Sequence, residues 1–111
     1  MIIKTNQPLM HDREKMTRTI ARFWNQTSDS WHTIWGAHIH HGYYEEDQPI
    51  NPKAAQEKLI EKLVDLLKIA PQDKILDIGC GMGGSSLYLA KHYHTTVTGI
   101  TFASHSSDLN I

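Results

Sequence analysis

What the chain lacks narrows it first. It holds one cysteine, Cys80, which excludes an internal disulfide framework and fits a reducing compartment. No apolar run approaches the ~20 residues that cross a bilayer, and residues 1–7 (MIIKTNQ) lack the apolar core of a signal peptide. Net charge is only -1, so the clustered basic face that nucleic acid or an anionic membrane requires is missing. These absences predict a cytoplasmic protein that neither inserts into membranes nor binds nucleic acid. At 111 residues the chain is one domain at most, and 40% hydrophobic with 21% charged residues is ordinary for a globular chain.

What is there centres on residues 74–86, KILDIGCGMGGSS. Ile75, Leu76 and Ile78 read as a short buried strand, running into a glycine-rich turn and then a helix from about Gly84. Asp77 sits near the strand's end, two positions before the first glycine. Gly79, Gly81 and Gly83 alternate, so the backbone turns sharply and a ligand approaches without meeting a Cβ. The following helix offers unpaired backbone N–H groups to whatever lies in the turn. That is the layout of a nucleotide-type cofactor site at the carboxyl end of a parallel strand.

Along the rest of the chain, residues 1–10 read as a loose lead-in. Met16, Ile20, Phe23 and Trp24 then share one helical face, with Asp12 as N-cap and an end near Asn25. The polar run Gln26–Ser30 reads as a turn. Ser30 would cap a short helix carrying Trp31, Ile34 and Trp35 and stopped by Gly36. Residues 37–50 have neither period and form a loop rich in imidazole and aromatic groups. Asn51 and Pro52 give a strong helix start, followed by an apolar stripe of Ala55, Leu59, Leu63, Leu66 and Leu67, flanked by Ile60 and Val64. After the glycine turn, Ser85–Tyr93 reads as a helix and Thr95–Ile100 as a second strand. Strand, helix and strand make one right-handed βαβ unit. The last ten residues show no period.

Two cofactor patterns fit the turn. Gly79-x-Gly81-x-x-Gly84 satisfies the dinucleotide fingerprint, while Asp77-x-Gly79-x-Gly81-x-Gly83 satisfies that of S-adenosylmethionine-dependent methyltransferases. A carboxylate just before the glycines repels a pyrophosphate but favours the cationic amino group and sulfonium of adenosylmethionine. The second strand ends at Thr101, where a dinucleotide site expects Asp or Glu for the ribose. Both points favour adenosylmethionine over a nicotinamide dinucleotide.

Residues 77–84 (DIGCGMGG) resemble motif I of class I methyltransferases. Residues 31–44 (WHTIWGAHIHHGYY) are similar to the segment preceding that domain in tocopherol-type methyltransferases and their small-amine and cyclopropane-synthase-like relatives. The resemblance spans roughly residues 20–101. It implies a Rossmann-like α/β methyltransferase fold, S-adenosyl-L-methionine as cofactor and a small-molecule methyl acceptor. Asp77 and Gly79 would hold the methionine amino group, the glycine through its carbonyl. Gly81 and Gly83 would permit close approach; Cys80 reads as a small residue between glycines, Gly79 and Gly81, rather than a nucleophile. Thr101 would lie near the adenosine ribose. Relatives continue with a leucine–serine stretch and a glutamine, where this chain has Phe102-Ala-Ser-His-Ser-Ser. Tyr43 and Tyr44 resemble an aromatic pair that closes over the cofactor, where a tyrosine beside a sulfonium is physically sensible; anchoring the loop is the alternative. His38, His40 and His41 are spaced poorly for one tetrahedral metal site, so no metal is expected; lining the active site is the other role open to them. The sequence names no catalytic residue.

The expected fold is thus the N-terminal part of a Rossmann-like methyltransferase: residues 1–50 a helical cap with the aromatic and histidine loop, residues 51–111 a truncated cofactor-binding domain. Two strands leave hydrophobic edges open, which favours self-association. The functional expectation is an N-terminal methyltransferase fragment transferring a methyl group to carbon, nitrogen or oxygen. Its rivals are an inactive remnant, a subunit completed by another chain, and an NAD-binding oxidoreductase fragment.

Overall fold

The computed structural model describes residues 9–48 and 50–102. The order is α1 (Leu9–Trp35), α2 (Pro52–Leu67), β1 (Lys74–Ile78), α3 (Gly84–Tyr93) and β2 (Thr96–Ile100). The strands pair in parallel, Lys74 opposite Thr96 through Ile78 opposite Ile100, with α3 as the crossover. This is the expected βαβ unit. The expectations for residues 1–8 and 103–111 lie outside the described residues.

One prediction fails at the N-terminus. The polar run 26–30 is no turn: α1 is continuous from Leu9 to Trp35. The run contains neither glycine nor proline, and its hydroxyls bond back along the helix, Thr27 Oγ1 to the Phe23 carbonyl at 2.8 Å and Ser28 Oγ to that of Trp24. Trp24, Ser28, Trp31 and Trp35 therefore fall on one helical face. Trp24 and Trp31 have ring centroids 6.3 Å apart, and Trp31 and Trp35 5.9 Å. Ser28 sits buried among them, so its small side chain and satisfied hydroxyl keep the stripe unbroken. Gly36 ends the helix in the left-handed region at φ 82°, its amide donating to the His32 carbonyl at 2.8 Å.

The start of α2 is as expected. The Asn51 side chain accepts from the Ala54 amide at 2.8 Å, and Pro52 occupies the first turn. Capping of this kind contributes about 1 kcal/mol. Burial is the second correction. The helix buries Ala55, Gln56, Ile60 and Val64, whereas Leu63, Leu66 and Leu67 stay exposed. The stripe is broader than the surface available to cover it. In the same way β1 is only half covered, with Leu76 and Ile78 on an open face and Ile75 and Asp77 turned inward. Among the described residues each strand has one edge without a strand partner.

Gln56 ties the histidine loop to the body. Its Nε2 donates at 2.8 Å to the carbonyls of both His38 and His40, and its side chain is buried. The Tyr43 amide donates to the Ala55 carbonyl at 2.8 Å, a second tether to the same helix. Gln56→Leu removes both side-chain donors and strands two carbonyls. The expected loss is about 1–3 kcal/mol, read as a lower urea midpoint with an unchanged slope.

Candidate cofactor site

The turn after β1 is fixed from two sides. The amides of Gly79 and Cys80 both donate to the Ile100 carbonyl, at 2.8 and 3.1 Å, so the end of β2 holds the turn in place. Gly79 and Gly81 lie at φ 77° and 55°, where a side chain is strained, and a Cβ on either would point into open space. Neither glycine is required by protein packing. Gly84 differs, because a Cβ there would collide with the Ala37 carbonyl. That close approach brings the loop after α1 down onto the start of α3.

Asp77 faces inward at the carboxyl end of β1, and its Oδ2 accepts from Ser86 Oγ at 2.7 Å. Ser86 is 1% exposed. The bond leaves the carboxylate acceptor capacity for a further donor.

The resulting cavity measures about 460 Å³, within the range of small-ligand pockets. Asp77, Gly79, Cys80, Gly81 and Thr101, all anticipated from sequence, line it together. Gly83 lies buried beneath the turn as the N-cap of α3, its amide on the Cys80 carbonyl at 2.9 Å. Tyr43 and Tyr44 are not brought to this cavity. Lys62 Nζ sits 5.2 Å from the Tyr43 ring centroid, and Tyr44 is half exposed in a separate shallow groove beside Ile34 and Trp35.

Sequence reasoning passed over the apolar wall, which comes from Ile20 and Trp24 of α1, Ile39, Met82 and Phe102. A continuous α1 face was the signal available for the first two. Ser86, the partner of Asp77, was also missed. It lies nine positions after the aspartate, a spacing that only the strand–turn–helix geometry makes meaningful.

Burial shifts two titratable groups of the cavity, Cys80 and His38. Burial, and next the Asp77 charge, push the Cys80 thiol up, so it stays protonated and unsuited to act as a nucleophile. Burial lowers His38 below 6.5, aided by His40 and Lys53 and opposed by Glu57. Among the described residues no group of three or more His, Cys, Asp or Glu side chains could hold a metal ion. No described helix is long and apolar enough to cross a membrane.

Comparison with known proteins agrees with this geometry. The profile described as mycolic acid cyclopropane synthetase matches residues 13–110. The chain belongs to this cyclopropane-synthase-like family of S-adenosylmethionine-dependent methyltransferases. It is 37% identical over 101 residues to the chloroplastic tocopherol O-methyltransferase of Arabidopsis thaliana, covering 81% of this chain and 29% of that protein. To the 2-methyl-6-phytyl-1,4-hydroquinone methyltransferase of Synechocystis it is 42% identical over 74 residues, covering 62% and 23%. Among solved structures, geranyl diphosphate C-methyltransferase from Streptomyces coelicolor, in complex with geranyl diphosphate and S-adenosyl-L-homocysteine, superposes with a TM-score of 0.63 at 27% identity, covering 83% of this chain and 39% of that one. The cyclase SpnF shares the fold with a TM-score of 0.72 at 24% identity, covering 81% and 34%. The chain spans less than a third of the length of the two curated relatives.

The depressed His38 sets a pH dependence. A base whose folded-state pKa lies below its unfolded value binds protons more readily when unfolded, so its contribution to stability is present above pH 6.5 and falls as pH drops below that value. Urea denaturation should show stability declining below pH 6.5, with a shallower decline in His38→Phe. An identical pH profile in the variant would contradict this.

Proposed function

We propose that this chain supplies the cofactor-binding turn and the N-terminal wall of an S-adenosylmethionine-dependent methyltransferase acting on a small molecule. The observation that carries the reading is the Asp77 carboxylate, fixed by Ser86, beside a positive-φ glycine turn whose missing Cβ atoms leave open space. These residues fit the family's cofactor: a carboxylate suits an ammonium group, and the open glycines admit a ligand against bare backbone. When bound, adenosylmethionine supplies an electrophilic methyl group on a sulfonium.

The chain's residues do the holding. Asp77 accepts hydrogen bonds from the amino group, with the Gly79 carbonyl as its second acceptor. Gly79 and Gly81 keep the turn open, Gly83 lets the chain enter α3 beneath it, and Cys80 stands between Gly79 and Gly81 as a thiol. Thr101 stands at the end of β2 on the ribose side. Tyr43 and Tyr44 join this set only if the loop carrying them turns toward the cavity. Residues 1–50 act as the cap and 51–111 as the cofactor-binding part. The apolar wall of Ile20, Trp24, Ile39 and Phe102 excludes water from the acceptor and orients it, so positioning carries most of the effect. Relatives named for tocopherol and for a phytyl hydroquinone make a hydroxylated aromatic ring the favoured acceptor.

Calorimetric titration of the 111-residue chain with S-adenosylhomocysteine tests the reading. Micromolar binding is expected, with no heat from NAD. Asp77→Asn should weaken binding about tenfold or more while leaving the circular dichroism spectrum intact. Equal affinity in the variant, or binding of NAD instead, would overturn the assignment.

A further inference from the structure

Gly99 sits inside β2, where glycine is an unfavourable choice. Its φ lies outside the left-handed region, so the backbone there suits any residue. A glycine in a strand interior is destabilising relative to alanine. Space, not conformation, explains its presence. A Cβ at Gly99 would stand 2.6 Å from Cys80 Sγ, 3.0 Å from Cys80 Cβ and 3.6 Å from Ser86 Oγ. The side chain of Cys80 therefore folds back from the turn onto the bare backbone of β2 and takes the volume that a side chain at 99 would fill. Glycine within a strand marks such close approaches.

The contact lies beside the acidic end of the site. Gly99 is the parallel partner of Asp77, so the two residues face the same side of the sheet. The next residue, Ile100, takes the amides of Gly79 and Cys80 on its carbonyl. Two successive residues of β2 thus hold Cys80, one by its side chain and one by its amide. Rotation about χ1 relieves nothing, because it moves Sγ but not Cβ, and Cβ alone is already at 3.0 Å. A methyl group at 99 is accommodated only by lifting the turn, which shifts the Gly79 carbonyl relative to Asp77 and stretches both bonds to Ile100. The Ser86 contact, at 3.6 Å, is ordinary packing. A Cβ on Gly79 or Gly81, by contrast, meets nothing. Those glycines keep space for a ligand above the turn; Gly99 keeps space for the turn itself.

We propose that Gly99 is a positioning residue for the cofactor turn: its missing side chain seats Cys80 and so sets the height at which Gly79 and Asp77 meet one ligand. Gly99 lies behind the cavity lining and acts through Cys80. This rests on the adenosylmethionine reading above and adds to it a residue outside the turn that governs affinity.

The test is a double-mutant cycle on the 111-residue chain, read by S-adenosylhomocysteine titration and by amide hydrogen exchange. Gly99→Ala should weaken binding about tenfold and speed exchange at the Gly79 and Cys80 amides about tenfold, with the Ile60 amide in α2 unchanged. In a Cys80→Gly background, where both crowded atoms are gone, the same substitution should change either quantity by less than about twofold. No penalty, a penalty of equal size in both backgrounds, or a lower urea midpoint with affinity and turn exchange unchanged would overturn the proposal. If Gly99→Ala does not fold, the double variant should fold and bind, and its failure to do so overturns the proposal as well. Absent binding by the unsubstituted chain counts against the cofactor reading alone, since coupling between Gly99 and Cys80 in the exchange rates still reports the seat.

Discussion

Asp77 accepts a hydrogen bond from Ser86 Oγ at 2.7 Å, and the surrounding segments are arranged so that this pair stays together. The aspartate comes from the end of β1 and the serine from the buried face of α3, so the bond spans the glycine turn between them. For a strand and a helix to meet so closely, the turn must be tight, and Gly79, Gly81 and Gly83 all take positive φ. The Ile100 carbonyl then fastens the turn to β2. Gly84 lets the loop after α1 rest on the start of α3, and Gln56 holds that loop from the other side. A carboxylate held in this way needs little reorganisation to meet a cation, which is the form of preorganisation that electrostatic recognition requires.

The cavity divides its chemistry along its length. At the turn it is polar and acidic, at α1 and Phe102 it is apolar, and His38 and His40 line it from the loop after α1. A ligand that is cationic at one point and apolar elsewhere is therefore matched at more than one place. The fold alone carries less information than this, since a cyclase shares it with methyltransferases. The side chains on the cavity wall distinguish one chemistry from another.

Local features were legible in the sequence. The strand, turn and helix at Lys74–Tyr93 have their signals within a few residues, as do the Asn51 cap and the Pro52 start of α2. Five of the anticipated residues meet at one cavity for the same reason. Features that depend on distant partners were not legible. The polar run 26–30 reads as a turn unless its hydroxyls are seen to bond back to Phe23 and Trp24. Nothing local marks Gln56 as a buried staple, because its acceptors lie 18 and 16 residues away. The leucines of α2 have the period of a buried stripe, yet exposure depends on what covers them, and Leu66 remains 71% exposed. Tyr43 and Tyr44 were placed by resemblance, and the backbone bond from Tyr43 to Ala55 turns that stretch along α2 instead.

The central claim is that the glycine turn and Asp77 receive the cofactor in the cavity they share with α1. Backbone amide chemical-shift mapping with S-adenosylhomocysteine tests it most directly, because it reports where a ligand sits as well as whether it binds. The predicted result is a contiguous set of perturbed amides at Gly79, Cys80, Gly81, Ser86 and Thr101, with α2 residues such as Leu66 unmoved. Perturbations confined to the groove beside Tyr44 and Trp35, or none at saturating ligand, would contradict it.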